Sequence, residues 1–208
     1  MNIIDTDYLV VGAGAAGLAF TDALIADSDA DVVMVDRRDS PGGHWNDAYP
    51  FVRIHHASTV YGVNSRILGT DSIDQHGPNA GFYERSSGAE ICAYFQHVMD
   101  DVLLPSGQVR FYNMCNYSGN WADEHTFISQ LTGEATTVRV RKKVVDTTYL
   151  EVSVPATHKP SFSIDPDANF IPVGELTKLT NSPSGYTILG GGKTAMDACT
   201  WLLDNGED

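Results

Sequence analysis

A chain of 208 residues can bury one substantial core and begin a second, and its 42% hydrophobic content is that of a globular protein. Thirteen basic residues face 27 acidic ones, and a formal charge of −14 repels phosphate backbones and anionic lipid, which argues against nucleic-acid and membrane-surface partners. Cys92, Cys115 and Cys199 are scattered and form no C-x-x-C pair, a pattern of reduced thiols rather than of disulfides or a metal site. The first residues carry acids instead of a basic leader, and no apolar run nears the roughly 18 residues that span a bilayer. A cytoplasmic protein is the expectation.

In chain order, Tyr8–Val11 is a continuous apolar run ending in glycine, the mark of a strand buried on both faces of a parallel sheet. Leu18, Ala19, Leu24 and Ile25 predict a helix over 15–26, and Val32–Val35 repeats the strand signal up to Asp36. Strand, glycine turn, helix and strand make a right-handed βαβ unit. Residues 37–85 lack periodicity and are rich in Gly, Pro, Asn, His and aromatics, which reads as a binding loop. Helical spacing returns over 89–104 and stops at Pro105; Val109–Tyr112 reads as a strand, 125–131 with 136–140 as a hairpin or meander, and 143–145 as one more strand. Residues 151–185 hold five of the nine prolines and predict an extended crossover. Tyr186–Leu189 then predicts a strand running into a second glycine turn and helix.

Three motifs carry chemistry. Gly12-Ala-Gly14-Ala15-Ala16-Gly17 lies between strand and helix: Gly12 suits the tight turn, Gly14 lets backbone approach a pyrophosphate, and Gly17 permits close helix–strand packing. The helix N-terminus adds unpaired N–H groups and a positive dipole end. Asp36, 19 residues beyond Gly17 and followed by Arg37, is placed to accept ribose hydroxyls. The second motif, Pro41-Gly42-Gly43-His44-Trp45, is either a backbone approach to a flat heteroaromatic ligand or a turn with a core-filling indole; Tyr49, Arg53, His55 and His56 share its loop. The third, Gly190-Gly-Gly192-Lys193-Thr194-Ala195, is not a P-loop, because that spacing requires glycine where Thr187 stands. It reads as a second dinucleotide turn, with Lys193 and Thr194 near the phosphates and Asp197 either on the helix surface or at the ligand.

Two such openings roughly 175 residues apart, with a Gly-Gly-x-Trp loop after the first, resemble the two-dinucleotide flavoproteins, and among them the flavin-containing and Baeyer–Villiger monooxygenases. The resemblance covers the whole chain as the N-terminal part of a longer family member. It implies that Gly12, Gly14, Ala15, Ala16, Gly17, Asp36 and Arg37 hold the ADP half of FAD. It further implies that Gly42, Gly43, His44 and Trp45 approach the flavin, and that Gly190, Gly192, Lys193, Thr194, Ala195 and Asp197 hold the pyrophosphate of NADPH or NADH. The sequence departs from the family in lacking F-x-G-x-x-x-H before the second motif, and in carrying Asp146-Thr147-Thr148 where the family has Ala-Thr-Gly.

The expected fold is therefore α/β: a doubly wound, Rossmann-like FAD domain with a β-meander over 1–150, a crossover over 151–185, and the first βα unit of an NAD(P) domain over 186–208. The expected activity is an FAD- and NAD(P)-dependent, monooxygenase-like oxidoreductase acting on a small molecule, with no acid–base residue assigned and no metal. With only one βα unit of the second domain, the 208-residue chain alone is expected to turn over poorly, and the apolar face of that helix to pack on the FAD domain, stay exposed and favour self-association, or find a partner chain. The competing readings are a flavin reductase or dehydrogenase without oxygen insertion, and a non-catalytic module that keeps the fold.

Overall fold

The computed structural model describes residues 2–120, 124–149, 159–181 and 183–207. Residues 151–158 of the expected crossover, and Trp121, lie outside them. Six strands form one mostly parallel sheet: β1 (Asn2–Val11), β2 (Val32–Val35), β3 (Val109–Tyr112), β4 (Cys115–Gly119), β5 (His125–Ser129) and β6 (Ala135–Asp146). Their order is β3-β2-β1-β6-β5-β4, parallel from β3 through β6 and antiparallel for the last two pairs. The expected βαβ unit and meander are both present, and the segments read separately as 136–140 and 143–145 are one strand. Its first residues, Ala135–Thr137, pair with β5, and from Thr136 to Asp146 it runs along β1.

The pleat of β1 sorts the core. Val10, with Val32 and Met34, points to the face covered by α1 (Ala15–Asp27) and α2 (Gly88–Val98), where Leu18, Ile91, Phe95 and Val98 are fully buried. Each such side chain contributes about 1.5–3 kcal/mol by leaving water. Leu9, Val11, Val33 and Val35 point the other way, onto Cys115, Phe127 and Val138 of the meander. The sheet curls to allow this, and Cys115 N–H reaches the Asp36 carbonyl at 2.9 Å. Helix α2 begins with a capping box, Ser87 and Glu90 satisfying each other's backbone N–H. Past Val98 it widens into a π turn over Met99–Leu103 and a 3-10 turn over Leu104–Ser106, so the expected helix to residue 104 is present with an altered last turn.

The irregular stretch between β2 and α2 holds short 3-10 turns at Gly43–Asp47 and Ser58–Val60, as its composition foretold. Its far side is pinned to the helices: buried Asp22 of α1 accepts from Ser65 N at 3.0 Å and from the Ser65 hydroxyl, and Tyr94 Oη of α2 accepts from Val63 N at 2.8 Å. In the C-terminal part, α3 (Lys193–Asp204) forms as expected. The strand expected at 186–189 does not form; the segment is coil, pairing with no strand among the described residues. Tyr-Thr-Ile-Leu has strand propensity, but propensity without a hydrogen-bonding neighbour makes no strand. The apolar face of α3 packs instead through Ala198, Trp201 and Leu202 onto Leu176, Ile171, Val173 and Phe51, while Leu203 and Met196 stay exposed. No helix among the described residues is long and apolar enough to cross a membrane.

Between Thr6 and Tyr8 the pairing of β1 with β6 slips by one residue, a bulge that gives β6 two consecutive cations beside Asp7. Arg141 Nε donates to Asp7 at 2.8 Å and Lys142 Nζ lies at 3.5 Å. The Arg141 hydrogen bond, and then the Asp31 N–H, hold the Asp7 carboxyl at about 2 against an ordinary 3.8. A carboxylate whose pKa is depressed by folding stabilises the native state above its unfolded pKa and loses that contribution as pH falls through the folded one. Denaturant unfolding should therefore show stability falling between about pH 4 and pH 2, with a shallower fall in Asp7→Asn. Parallel curves for the two proteins would remove Asp7 from the acid response.

Candidate functional site

The first glycine turn sits where β1, β2 and β6 end side by side. Gly12 has φ +104°, a conformation that side chains rarely adopt, and a Cβ there would lie 2.6 Å from Thr147 Oγ1. A Cβ on Gly17 would run into the Gly12 carbonyl oxygen, so only glycine lets α1 start this close to β1. Thr147 closes the turn from the end of β6: its N–H donates to the Val11 carbonyl at 3.0 Å and its hydroxyl to the same oxygen at 2.8 Å, with the Gly12 carbonyl 3.1 Å away. The central residue of the triplet that departs from the family pattern is thus a clamp on the first glycine. No side chain caps the N-terminus of α1, and its first turn carries no acid, which suits a bound anion.

Asp36 is 5% exposed at the end of β2. Its Oδ2 accepts from Ala13 N at 2.6 Å and its Oδ1 from Arg38 N at 2.8 Å. The carboxylate expected to reach a ribose also ties the glycine turn to β2, a role its sequence position did not disclose. Arg37 is exposed beside it, and its carbonyl accepts from Gln130 Nε2 at 2.7 Å. Arg38 pairs with Asp47 across the next loop.

That loop lies on the glycine turn. Gly42 N–H donates to the Ala13 carbonyl at 2.9 Å, and a Cβ on Gly43 would stand 3.0 Å from Gly14 Cα. Gly42 and Gly43 both adopt positive φ, +121° and +60°, to make this approach. The Trp45 indole is half-buried; its N–H donates to Tyr61 Oη at 2.7 Å, and the exposed His44 ring stacks on it with centroids 5.3 Å apart. Trp45 packs against the α2 core, as the core-filling alternative has it, and its two glycines seat backbone against backbone at the first turn. Tyr61 carried no sequence signal, sixteen residues from the indole it holds.

The second glycine turn offers backbone alone. Gly190 has φ +134°, and nothing lies within 4 Å of where a Cβ would stand on Gly191 or Gly192. No side chain caps α3. Lys193, expected at the phosphates, pairs with Asp197 one turn on. Asp197 also accepts from Tyr49 Oη at 2.6 Å, and Lys193 Nζ is 3.5 Å from that same oxygen. Tyr49 is 9% exposed; burial, and then the Asp197 carboxylate, push its phenol above its ordinary value, so it stays a donor. The structure thus gathers Gly12, Gly14, Ala15, Ala16, Gly17, Asp36, Gly43, His44 and Trp45 at one end of the sheet. It joins the Gly190–Ala195 turn to them through Tyr49.

The fold is Rossmann-like, and residues 10–63 match the NAD(P)-binding Rossmann-like domain. Over 97% of its length the chain is 47% identical to the uncharacterized protein Rv2000 of Mycobacterium tuberculosis and, equally, to the uncharacterized protein Mb2023 of Mycobacterium bovis. It spans 36% of the length of each. Among solved structures it is similar to a closed form of cyclohexanone monooxygenase, at 19% identity and a TM-score of 0.55 over 98% of this chain and 37% of that one. The NADP+-bound cyclohexanone monooxygenase of Rhodococcus sp. Phi1 gives 20% identity and 0.52 over 97% and 37%. The likeness to cyclohexanone monooxygenase is one of fold.

Proposed function

We propose that this chain is the FAD-binding part, with the opening of the nicotinamide part, of an NAD(P)H-dependent flavin oxidoreductase of monooxygenase type. The observation that carries the reading is the seating of Gly42 and Gly43 on the first glycine turn, which sets Trp45 and His44 beside the mouth of the cradle. Gly42 and Gly43 add a second stretch of backbone beyond the pyrophosphate turn, which in this reading meets the flavin. In this reading Gly12, Gly14 and the first amides of α1 bind the pyrophosphate, Asp36 the ribose, and the 42–45 loop lines the flavin. Bound FAD supplies the redox chemistry, taking electrons from a reduced nicotinamide dinucleotide and passing them to oxygen or another acceptor. The chain supplies position and exclusion of water.

The rival assignment, supported by the NAD(P)-binding match over 10–63, puts the nicotinamide dinucleotide in the first turn. Titration of the purified chain separates the two. FAD should bind one to one, quench tryptophan fluorescence, and resist displacement by NADP+; Trp45→Phe should lose most of the quench. Displacement by NADP+, or a quench undiminished in Trp45→Phe, would move the flavin elsewhere. We further propose that the 208-residue chain alone oxidises NAD(P)H negligibly at equimolar FAD, because α3 and one glycine turn cannot by themselves enclose a nicotinamide. Steady turnover in a preparation free of other flavoproteins would overturn that. Leu189, Met196 and Leu203, 64%, 62% and 73% exposed, are the surface we propose for self-association.

A further inference from the structure

The ten residues from Gly42 to Phe51 touch the first glycine turn at one end and the helix of the second at the other. At the near end stand the Gly42 N–H bond to Ala13 and the Gly43–Gly14 approach. The 3-10 turn Gly43–Asp47 then carries the chain one step on, with Ala48 N–H closing on the Trp45 carbonyl at 3.2 Å. At the far end Tyr49 Oη donates to Asp197 at 2.6 Å, the Tyr49 and Phe51 rings lie 4.9 Å apart, and Phe51 stacks on Trp201 of α3 at 5.3 Å and 21°. Polar and aromatic contacts thus grip α3 at its second and third turns. A segment this short, held at both ends and braced by a 3-10 turn, has little freedom to let one end move without the other.

We propose that Tyr49 and Asp197 are positioning residues that lock the second glycine turn to the loop of the first, so that the two dinucleotide turns move as one unit. Neither side chain need touch a ligand. Asp197 holds Lys193 by its carboxylate and is itself held by Tyr49, so the direction of the lysine is set from the first site. The burial of Tyr49 supports this, because a buried phenol keeps a carboxylate partner that water would otherwise compete for. The proposal rests on the two-dinucleotide reading for its purpose, and on the geometry alone for the lock.

Hydrogen–deuterium exchange of the 208-residue chain tests both. Without ligand, Tyr49→Phe and Asp197→Asn should each speed exchange of the 195–204 amides about tenfold, the loss of one part-buried charged hydrogen bond, while β2 and β3 amides stay as slow as in wild type. The double variant should exchange no faster than Asp197→Asn, which removes the Tyr49 bond together with the Lys193 pair. Added FAD should slow the α3 amides in wild type and leave them unchanged in Tyr49→Phe. Unaltered α3 exchange in the ligand-free variants, or FAD protection of α3 that survives Tyr49→Phe, overturns the lock. If FAD protects none of the amides of residues 12–18, the cofactor reading has failed, and the lock is judged on the ligand-free variants.

Discussion

Gly17→Ala should abolish FAD binding and lower the melting temperature more than any other single methyl added to this chain. The added Cβ meets the Gly12 carbonyl, and that carbonyl has nowhere to go. Gly12 N–H donates to the Val35 carbonyl at 2.8 Å on one side, and Thr147 clamps the turn on the other. Forcing a methyl into such a site costs about 3 kcal/mol, which in a domain of this size lowers the melting temperature by roughly 6–12 °C. The relief available, moving α1 off β1, displaces the N-terminal amides that would meet a pyrophosphate, so affinity should drop at least a hundredfold at temperatures where the fold persists. Gly174→Ala is the control: nothing lies within 4 Å of its would-be Cβ, and it should melt with wild type to within the roughly ±0.5 kcal/mol of a surface change. Thermal unfolding followed by circular dichroism decides the matter, and a Gly17→Ala protein melting beside Gly174→Ala would show that the turn can relax.

Asp36→Ala should be the second largest. A buried charged hydrogen bond to a ribose is worth roughly 1.5–3 kcal/mol, or one to two orders of magnitude in FAD affinity. The structure adds a stability cost, because removing the carboxylate strands the Ala13 N–H that it receives at 2.6 Å. An orphaned buried donor costs about 1–3 kcal/mol. Both losses are expected together: weaker FAD in titration calorimetry and a lower denaturation midpoint at unchanged slope. Unchanged affinity in a folded Asp36→Ala protein would leave Asp36 as a brace for the glycine turn and take the ribose assignment away.

Much of the fold was legible because local and tertiary preferences agree. Val32–Val35 is apolar, three of its four residues β-branched valines, and bounded by polar residues, and all four side chains are buried. Gly12, Gly14 and Gly17 lie between an apolar strand run and a helical one, the context in which that spacing marks a strand–turn–helix. Strand β4 was not legible: Cys-Asn-Tyr-Ser-Gly alternates inward Cys115 with exposed Asn116 and Ser118, yet holds weak strand formers and becomes a strand through its pairing with β5. The error at 186–189 is the converse, good strand formers with no partner. The Tyr49–Asp197 contact joins residues 148 apart in sequence, and no periodicity reports such a meeting. The same holds for Thr147, whose value as a clamp depends on β6 lying beside β1.

That last pairing sets an order of events. The first glycine turn is written in the opening seventeen residues, but its clamp arrives about 130 residues later, when β6 docks along the whole of β1. A ribosome adding roughly 5–20 residues per second spends several seconds between the two. During that time β1, α1 and β2 can assemble while one edge of β1 waits unpaired. Closing so long a loop is slow and exposes a strand edge on the way. The first glycine turn is thus made well before β6 and finished only when β6 docks, so under the proposed reading a dinucleotide would meet a complete cradle only after that late pairing.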